Sequence, residues 1–174
     1  MMKYLPLLWA VMRKGYSMES KRVKDSVTEC MRLIKHEDIN GGNRLFGGRL
    51  MQWMDEAAGI CAMRHSGCVI TTAAVDNLQF KKGAFIGDLV AITAKMTYVG
   101  NTSMEVRVDV YVEERETGER HVINRAYFTE VCMKDDKPIP VPYKLICETL
   151  SEQAEWEGAQ KRIEMRKERR NMGF

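Results

Sequence analysis

Arg49-Leu-Met-Gln-Trp-Met-Asp-Glu-Ala-Ala-Gly-Ile-Cys-Ala-Met63 is the stretch on which the fold turns. Leu50, Met54, Ala57 and Cys61 recur in it at helical spacing and no proline interrupts, so it predicts one helix of about 15 residues, roughly 22 Å long. An acid pair, Asp55 and Glu56, lies about two turns inside the start, where an unpartnered charge on an apolar helix is costly. Three, four and seven residues beyond Asp55 stand Ala58, Gly59 and Ala62, a strip of small side chains. From this helix alone two readings stand: a carboxylate facing a ligand, or one that caps or salt-bridges within a subunit interface.

Working outward, the segment before the helix, from His36 to Gly48, is rich in turn residues: Asn40, Gly41, Gly42, Asn43, Gly47 and Gly48. Gly47-Gly48 would leave backbone N–H groups unhindered at the positive end of the helix dipole, an arrangement able to hold an oxyanion, although glycines precede helices for steric reasons too. Upstream, Ser26 to Ile34 predicts a first strand. Downstream come four strand-like stretches, Val69 to Phe80, Leu89 to Val99, Ser103 to Glu114 and Arg120 to Met133. Alternation is clearest where Met104, Val106, Val108, Val110 and Val112 bracket Glu105, Arg107, Asp109 and Tyr111. Turn residues at Lys82-Gly83, Gly100-Asn101 and Glu116 to Glu119 predict that successive strands form antiparallel hairpins. Beyond Pro138, Pro140 and Pro142 a charged helix is expected from about Tyr143 to Arg170. The pattern is α+β, an antiparallel sheet wrapped around one long central helix with a second helix at the C-terminus.

At 174 residues the chain suits one domain with its own core, and 45% hydrophobic with 29% charged residues is the composition of an ordinary globular protein. The net charge of +3 is mild. Lys161, Arg162, Arg166, Lys167, Arg169 and Arg170 crowd the end, but Glu152, Glu155, Glu157, Glu164 and Glu168 interleave them, which is the pattern of a solvated helix rather than of a nucleic-acid contact. Five cysteines, Cys30, Cys61, Cys68, Cys132 and Cys147, are scattered without a C-x-x-C pair, as expected of reduced thiols in a cytoplasmic protein. The three histidines form no metal signature, so no metal and no resident cofactor is expected. His65 reads as a residue of the helix end favoured by the dipole, Cys61 as a packing residue, and the lack of a G-x-S-x-G elbow argues against a serine hydrolase.

The apolar run Tyr4 to Val11 is too short to span a bilayer, and Arg13-Lys14-Gly15 can be written as codons resembling a ribosome-binding site ahead of Met18. Residues 1–17 are therefore expected to be a non-native or disordered extension, 18–142 the folded domain and 143–174 the charged C-terminal helix. No membrane partner is expected.

Five stretches together resemble a known family: Asn40-Gly-Gly-Asn-Arg-Leu-Phe-Gly-Gly48, Met54-Asp-Glu-Ala-Ala-Gly59, Thr72-Ala-Ala-Val-Asp-Asn-Leu-Gln-Phe80, Ile86-Gly-Asp88 and Met96-Thr-Tyr-Val-Gly-Asn-Thr-Ser-Met-Glu105. In order and spacing they are similar to the hotdog-fold acyl-CoA hydrolases, over roughly residues 26 to 142. The resemblance implies hydrolysis of acyl-CoA to free acid and CoA. It matches Asn40 to the family's active-site asparagine and Asp55 to its helix aspartate, as general base or nucleophile, with Gly47 and Gly48 N–H groups on the thioester carbonyl. It implies CoA contacts at Asn101, Thr102 and Ser103, although a hairpin turn of such residues needs no ligand to explain it. It also implies a homodimer with a continuous sheet, grouped into hexamers, in which Asn40 of one chain faces Asp55 of the other. Glu56, the rival carboxylate, is expected to partner a basic group on the helix face. The competing expectation is a hotdog protein that senses acyl-CoA without turning it over; the presence of both Asn40 and Asp55 favours catalysis.

Overall fold

The computed structural model describes residues 19–173. The expected extension over 1–17 lies outside them. Helix α1, Gly47–Ser66, begins two residues before the predicted start and ends three after the predicted stop. Its start is set by Phe46, whose backbone is extended (φ −66°, ψ 126°). Its end is set by Gly67, whose φ of +70° is the left-handed conformation that closes a helix and lets its N–H donate to Met63 O. Lys21 Nζ donates to the carbonyls of Arg64 (2.8 Å) and His65 (2.7 Å), satisfying two acceptors of the last turn where a cation is favoured. Leu50, Trp53, Met54, Ala57, Ala58, Cys61, Ala62 and His65 are buried on one side of α1; Met51, Gln52, Asp55, Glu56, Ile60 and Met63 are exposed on the other.

The strands are β1 (Ser20–Arg22), β2 (Thr28–Leu33), β3 (Val69–Asp76), β4 (Leu89–Val99), β5 (Ser103–Glu113), β6 (Arg120–Lys134), β7 (Lys137–Pro138) and β8 (Lys144–Ile146). The large sheet runs β2-β4-β5-β6-β3, with β7 added to the end of β6. Pairs β4–β5 and β5–β6 are the hairpins expected from their turns. The third expected hairpin does not form. β3 pairs with β6, and β4 pairs with β2, so Lys82-Gly83 belongs to a crossing loop from the β3 edge to β4, the strand inside the opposite edge. A turn signal marks where a strand stops but not which strand it then meets.

Val90, Ile92, Ala94, Met96, Met104, Val106, Val108, Val110, Ala126, Phe128 and Cys132 form one face of the sheet and pack with α1 in a single core. The other face of β5 is not solvated, as alternation with Glu105 and Asp109 would suggest, for those two are 1% and 4% exposed. Helix α2, Leu150–Asn171, packs on β4 and reaches β5 through ion pairs to Glu105 and Arg107. α2 starts at Thr149, whose hydroxyl accepts from Glu152 N–H while Glu152 reaches back to Thr149 N–H. The helix begins seven residues later than predicted because 144–146 pairs in parallel with β1.

The interleaved charges of α2 are also not simply solvated. Arg162 Nη2 lies 2.7 Å from Glu105 Oε1, with the guanidinium 3.6 Å from the Tyr127 ring centre, while Arg166 and Arg169 pair with Asp76 and Arg107 pairs with Glu155. Trp156 packs against Tyr98 with ring centres 4.4 Å apart and the rings tilted by 45°, and Ala159 is fully buried. Lysines and arginines at an i, i+4 stagger look alike in sequence whether they meet water or a sheet; the acids waiting on β3 and β5 decide it. Among the described residues no helix is long and apolar enough to cross a membrane.

Candidate active site

Asp55 leaves α1 from the border of its buried face. Thr72 on β3 donates its hydroxyl to Asp55 Oδ1 at 2.6 Å, and the same Thr72 oxygen lies 3.2 and 3.3 Å from the two carboxyl oxygens of Glu130 on β6. Register explains the meeting: Thr72 and Glu130 are directly paired across β3 and β6, and the pleat turns both toward α1. Glu130 is fully buried. Burial pushes its carboxyl up to about 7, the nearby Asp55 charge adds to the rise, and the Thr72 hydrogen bond opposes it. These three residues line one wall of an open cleft of about 580 Å³ shared with Glu56, Gly59, Ile60 and Met63.

The strip of small residues beside Asp55 is only partly as expected. Ala58 and Ala62 turn into the core, and the cleft wall is Gly59 with the longer Ile60 and Met63. Asp55 sits at the border of the buried face, so its neighbours at three and seven residues fall on the packed side and those at four, five and eight on the open side. Glu56 takes the expected surface role, with its carboxylate 3.3 Å from Arg32 Nη2 and accepting from Gln52 Nε2 at 2.9 Å.

At the other end of α1, no side chain caps the helix, and the first intrahelical bond runs from Leu50 N–H to Phe46 O. The N–H groups of Gly47 and Gly48 precede it, orphaned as helix geometry requires. Both glycines are crowded by aromatic rings: a Cβ on Gly48 would come within 2.6 Å of Phe46, and one on Gly47 within 3.2 Å of Phe80. Asn40 is exposed in the preceding loop, where its side-chain oxygen accepts from Gly42 N–H (2.9 Å) and Arg44 N–H (3.3 Å). Within one chain the glycine pair and Asp55 are separated by about 10 Å of helix at 1.5 Å per residue. The single chain therefore does not bring Asp55 together with the glycine pair, and among the described residues no hydrogen bond joins it to Asn40.

Asn101, Thr102 and Ser103 form the β4–β5 turn. Ser103 O accepts from Gly100 N–H, Thr102 O from Cys132 N–H and Asn101 O from Val141 N–H, so its backbone is engaged within the chain. Met104, the next residue, pairs with Glu130. The turn thus stands at the same end of the sheet as Thr72 and Glu130, two strand spacings or about 10 Å from β3.

Sequence reasoning gave Thr72 no role and passed over Glu130. The signal for Glu130 was present, since it shares a pleat face with Ala126, Phe128 and Cys132, where a charged residue is out of place. His65 is buried at the end of α1, its Nε2 3.3 Å from Tyr143 O, and burial holds its titration below the ordinary histidine range. The Cys61 thiol is pushed up to about 12 by burial, which suits a packing residue. The one grouping of potential metal ligands among the described residues, Glu114, Glu119 and His121, is exposed at the β5–β6 turn, about 30 Å along β6 from Glu130.

Residues 42–119 match the Thioesterase superfamily. The chain is 39% identical over 134 residues to Protein VdlD of Helicobacter pylori, covering 77% of this chain and 76% of that one. To the uncharacterised acyl-CoA thioester hydrolase YkhA of Bacillus subtilis it is 40% identical over 116 residues, 66% of this chain and 67% of that one. Among solved structures, the acyl-CoA hydrolase of Staphylococcus aureus with bound coenzyme A superposes with a TM-score of 0.83 at 31% identity, over 89% of this chain and 93% of that one. The same enzyme has been solved with butyryl-CoA, and in forms with an asparagine, an aspartate or a threonine changed to alanine. An apo-hexameric acyl-CoA thioesterase superposes with a TM-score of 0.82 at 36% identity, over 87% and 97% of the two chains. A sheet curled around one helix is thus shared with these proteins, and the chain belongs to the thioesterase superfamily, in its hotdog-fold acyl-CoA hydrolase branch.

Proposed function

We propose that this protein hydrolyses acyl-CoA thioesters to the free acid and CoA, with Asp55 as general base on the attacking water. The observation that carries the reading is the Asp55 carboxylate, open to the cleft and oriented by the Thr72 hydroxyl at 2.6 Å. In the Staphylococcus aureus hydrolase the asparagine, aspartate and threonine changed to alanine are 15 and 17 residues apart, and Asn40, Asp55 and Thr72 have the same separations. A base in this position contributes on the order of a hundred- to ten-thousand-fold in rate. The orphaned Gly47 and Gly48 N–H groups, at the positive end of α1, polarise the thioester carbonyl, and Asn40 positions the water or the thioester. Asn101, Thr102 and Ser103 meet the CoA portion at the rim. No metal or resident cofactor takes part.

The 10 Å of helix between Gly48 and Asp55 is too long for both to act on one carbonyl, so the reading requires a second chain to bring its helix start and Asn40 to this Asp55. Strand β3 supports this, being a sheet edge that carries exposed Val69 and Val75, next to the exposed Ile60 and Met63 of α1. The assembly is a homodimer, grouped further into hexamers as in the hexameric thioesterases of similar structure. The free thiols of Cys30, Cys61, Cys68, Cys132 and Cys147 fit a reducing cytoplasm.

The test is a panel of acyl-CoA substrates from acetyl to palmitoyl, followed by released CoA thiol. Turnover that Asp55→Asn abolishes is the expected result. Tight acyl-CoA binding with no thiol release would instead make the protein a sensor.

A further inference from the structure

Thr72 has one proton and two acceptors in reach. Its hydroxyl is 2.6 Å from Asp55 Oδ1 and 3.2 to 3.3 Å from Glu130, and a single O–H donates along one direction. The short contact takes it. Glu130 is fully buried, has no hydrogen-bond partner other than Thr72 and has no cation within salt-bridge reach among the described residues. An ionised carboxylate there would face the Thr72 oxygen lone pairs and the Asp55 charge with nothing to balance it. The remaining arrangement that satisfies every atom has the proton on Glu130, donated to Thr72 Oγ1.

We propose that Glu130 is a positioning residue of the hydrolase site that works as a neutral acid, passing one hydrogen bond to Thr72 so that Thr72 must pass its own to Asp55. The relay Glu130 to Thr72 to Asp55 holds Oδ1 and leaves Oδ2, which has no hydrogen bond among the described residues, to face the water. It rests on the reading of Asp55 as the base. Its sequence cost is the charged residue on the apolar face of β6 noted above, which a purely structural position would fill with an apolar side chain.

Titration then acts as a switch on geometry. The groups that face Glu130 are Asp55 and Glu56 of α1 across the cleft, the Cys61 thiol further along α1, Thr72 from β3 and Met104 from β5. None is a cation among the described residues, so as pH rises the ionised form has only the Thr72 hydroxyl to turn to. The carboxyl, raised to about 7 chiefly by burial, loses its proton across the neutral range, then competes with Asp55 for the Thr72 proton. Loss of the orienting bond lowers kcat by about tenfold.

The experiment compares kcat and KM from pH 6 to 9 in wild type, Glu130→Gln and Glu130→Leu, with Asp55→Asn in the same assay. Gln keeps a donor for Thr72 and cannot ionise; Leu has neither property. The expected result is a wild-type kcat that falls about tenfold toward pH 9 and a Gln variant without that fall. Leu should hold kcat about tenfold below the wild-type pH 6 value across the range and Gln two- to threefold below it, with KM moved less than kcat in both. A Gln variant that keeps the alkaline fall, or one as impaired as Leu, overturns the proposal. Infrared spectroscopy of the wild-type protein, with glutamate carboxyls labelled by ¹³C, decides it even if neither variant folds. A protonated-carboxylic-acid band at pH 6 that vanishes by pH 9 supports it, and its absence at pH 6 overturns it. Turnover surviving in Asp55→Asn would instead refute the base reading, whereas the infrared result stands independently of it.

Discussion

Arg162→Met removes the main partner of a buried acid and leaves the rest of α2 intact. Glu105 is 1% exposed, and Arg162 holds it through contacts of 2.7 and 3.2 Å while covering the Tyr127 ring at 3.6 Å. Breaking a buried pair by removing one partner costs about 3 to 5 kcal/mol. Here Thr97 still donates to Glu105 at 2.8 Å, Arg166 remains 3.6 Å away, and Arg162 is itself 20% exposed. The expected loss is therefore smaller, about 2 to 3 kcal/mol including the lost ring contact. Glu105→Leu in the same background removes the stranded charge, so the double variant should recover most of the loss, a coupling of about 2 kcal/mol. Lys161, the exposed neighbour, should tolerate Met within about 0.5 kcal/mol. The assay is urea unfolding at one protomer concentration, since assembly shifts apparent stability, with Trp156 fluorescence reporting α2 on Tyr98. An Arg162→Met variant within 0.5 kcal/mol of wild type, or singles that merely add in the double, would refute the reasoning that α2 is clamped by its charges.

The site makes three further claims. Asp55→Asn should lower kcat by a hundredfold or more, whereas Glu56→Gln, which loses only a surface pair with Arg32, should cost severalfold at most; the reverse order of effects would transfer the base role to Glu56. Mixing inactive Asn40→Ala and Asp55→Ala proteins after mild denaturation should restore about a quarter of wild-type activity, because about half the dimers are mixed and each of those regains one of two sites; no recovery, with mixed dimers confirmed by mass spectrometry, would put both residues in one chain's site. The raised Glu130 titration also predicts pH-dependent stability. The folded form binds the proton more tightly than the unfolded one, so stability is untouched below about pH 4 and declines as pH rises through 7, by about 3 kcal/mol for a shift to about 7; Glu130→Gln should gain on wild type between pH 5 and 8 in thermal melts, and a constant difference would refute it.

What the sequence by itself determined is what local periodicity and chain punctuation can carry. The spacing of Leu50, Met54, Ala57 and Cys61 gave the buried face of α1, and alternation over Met104 to Val112 gave the core face of β5, because a helix or strand repeats over a few residues regardless of its partners. Resemblance over short motifs singled out Asn40, Asp55 and the glycine pair, and it also held Thr72 within a quoted motif. Tertiary structure decided everything that depends on which distant segments meet. It put β3 beside β6 rather than β4, and so set Thr72 against Glu130, 58 residues away. It turned the acids of β5 and the arginines of α2 from two solvent-facing patterns into one buried interface. A carboxyl group has the same letter whether it faces water, an arginine or another acid. Its protonation, and hence its work, is set by the field of neighbours that only the fold assembles.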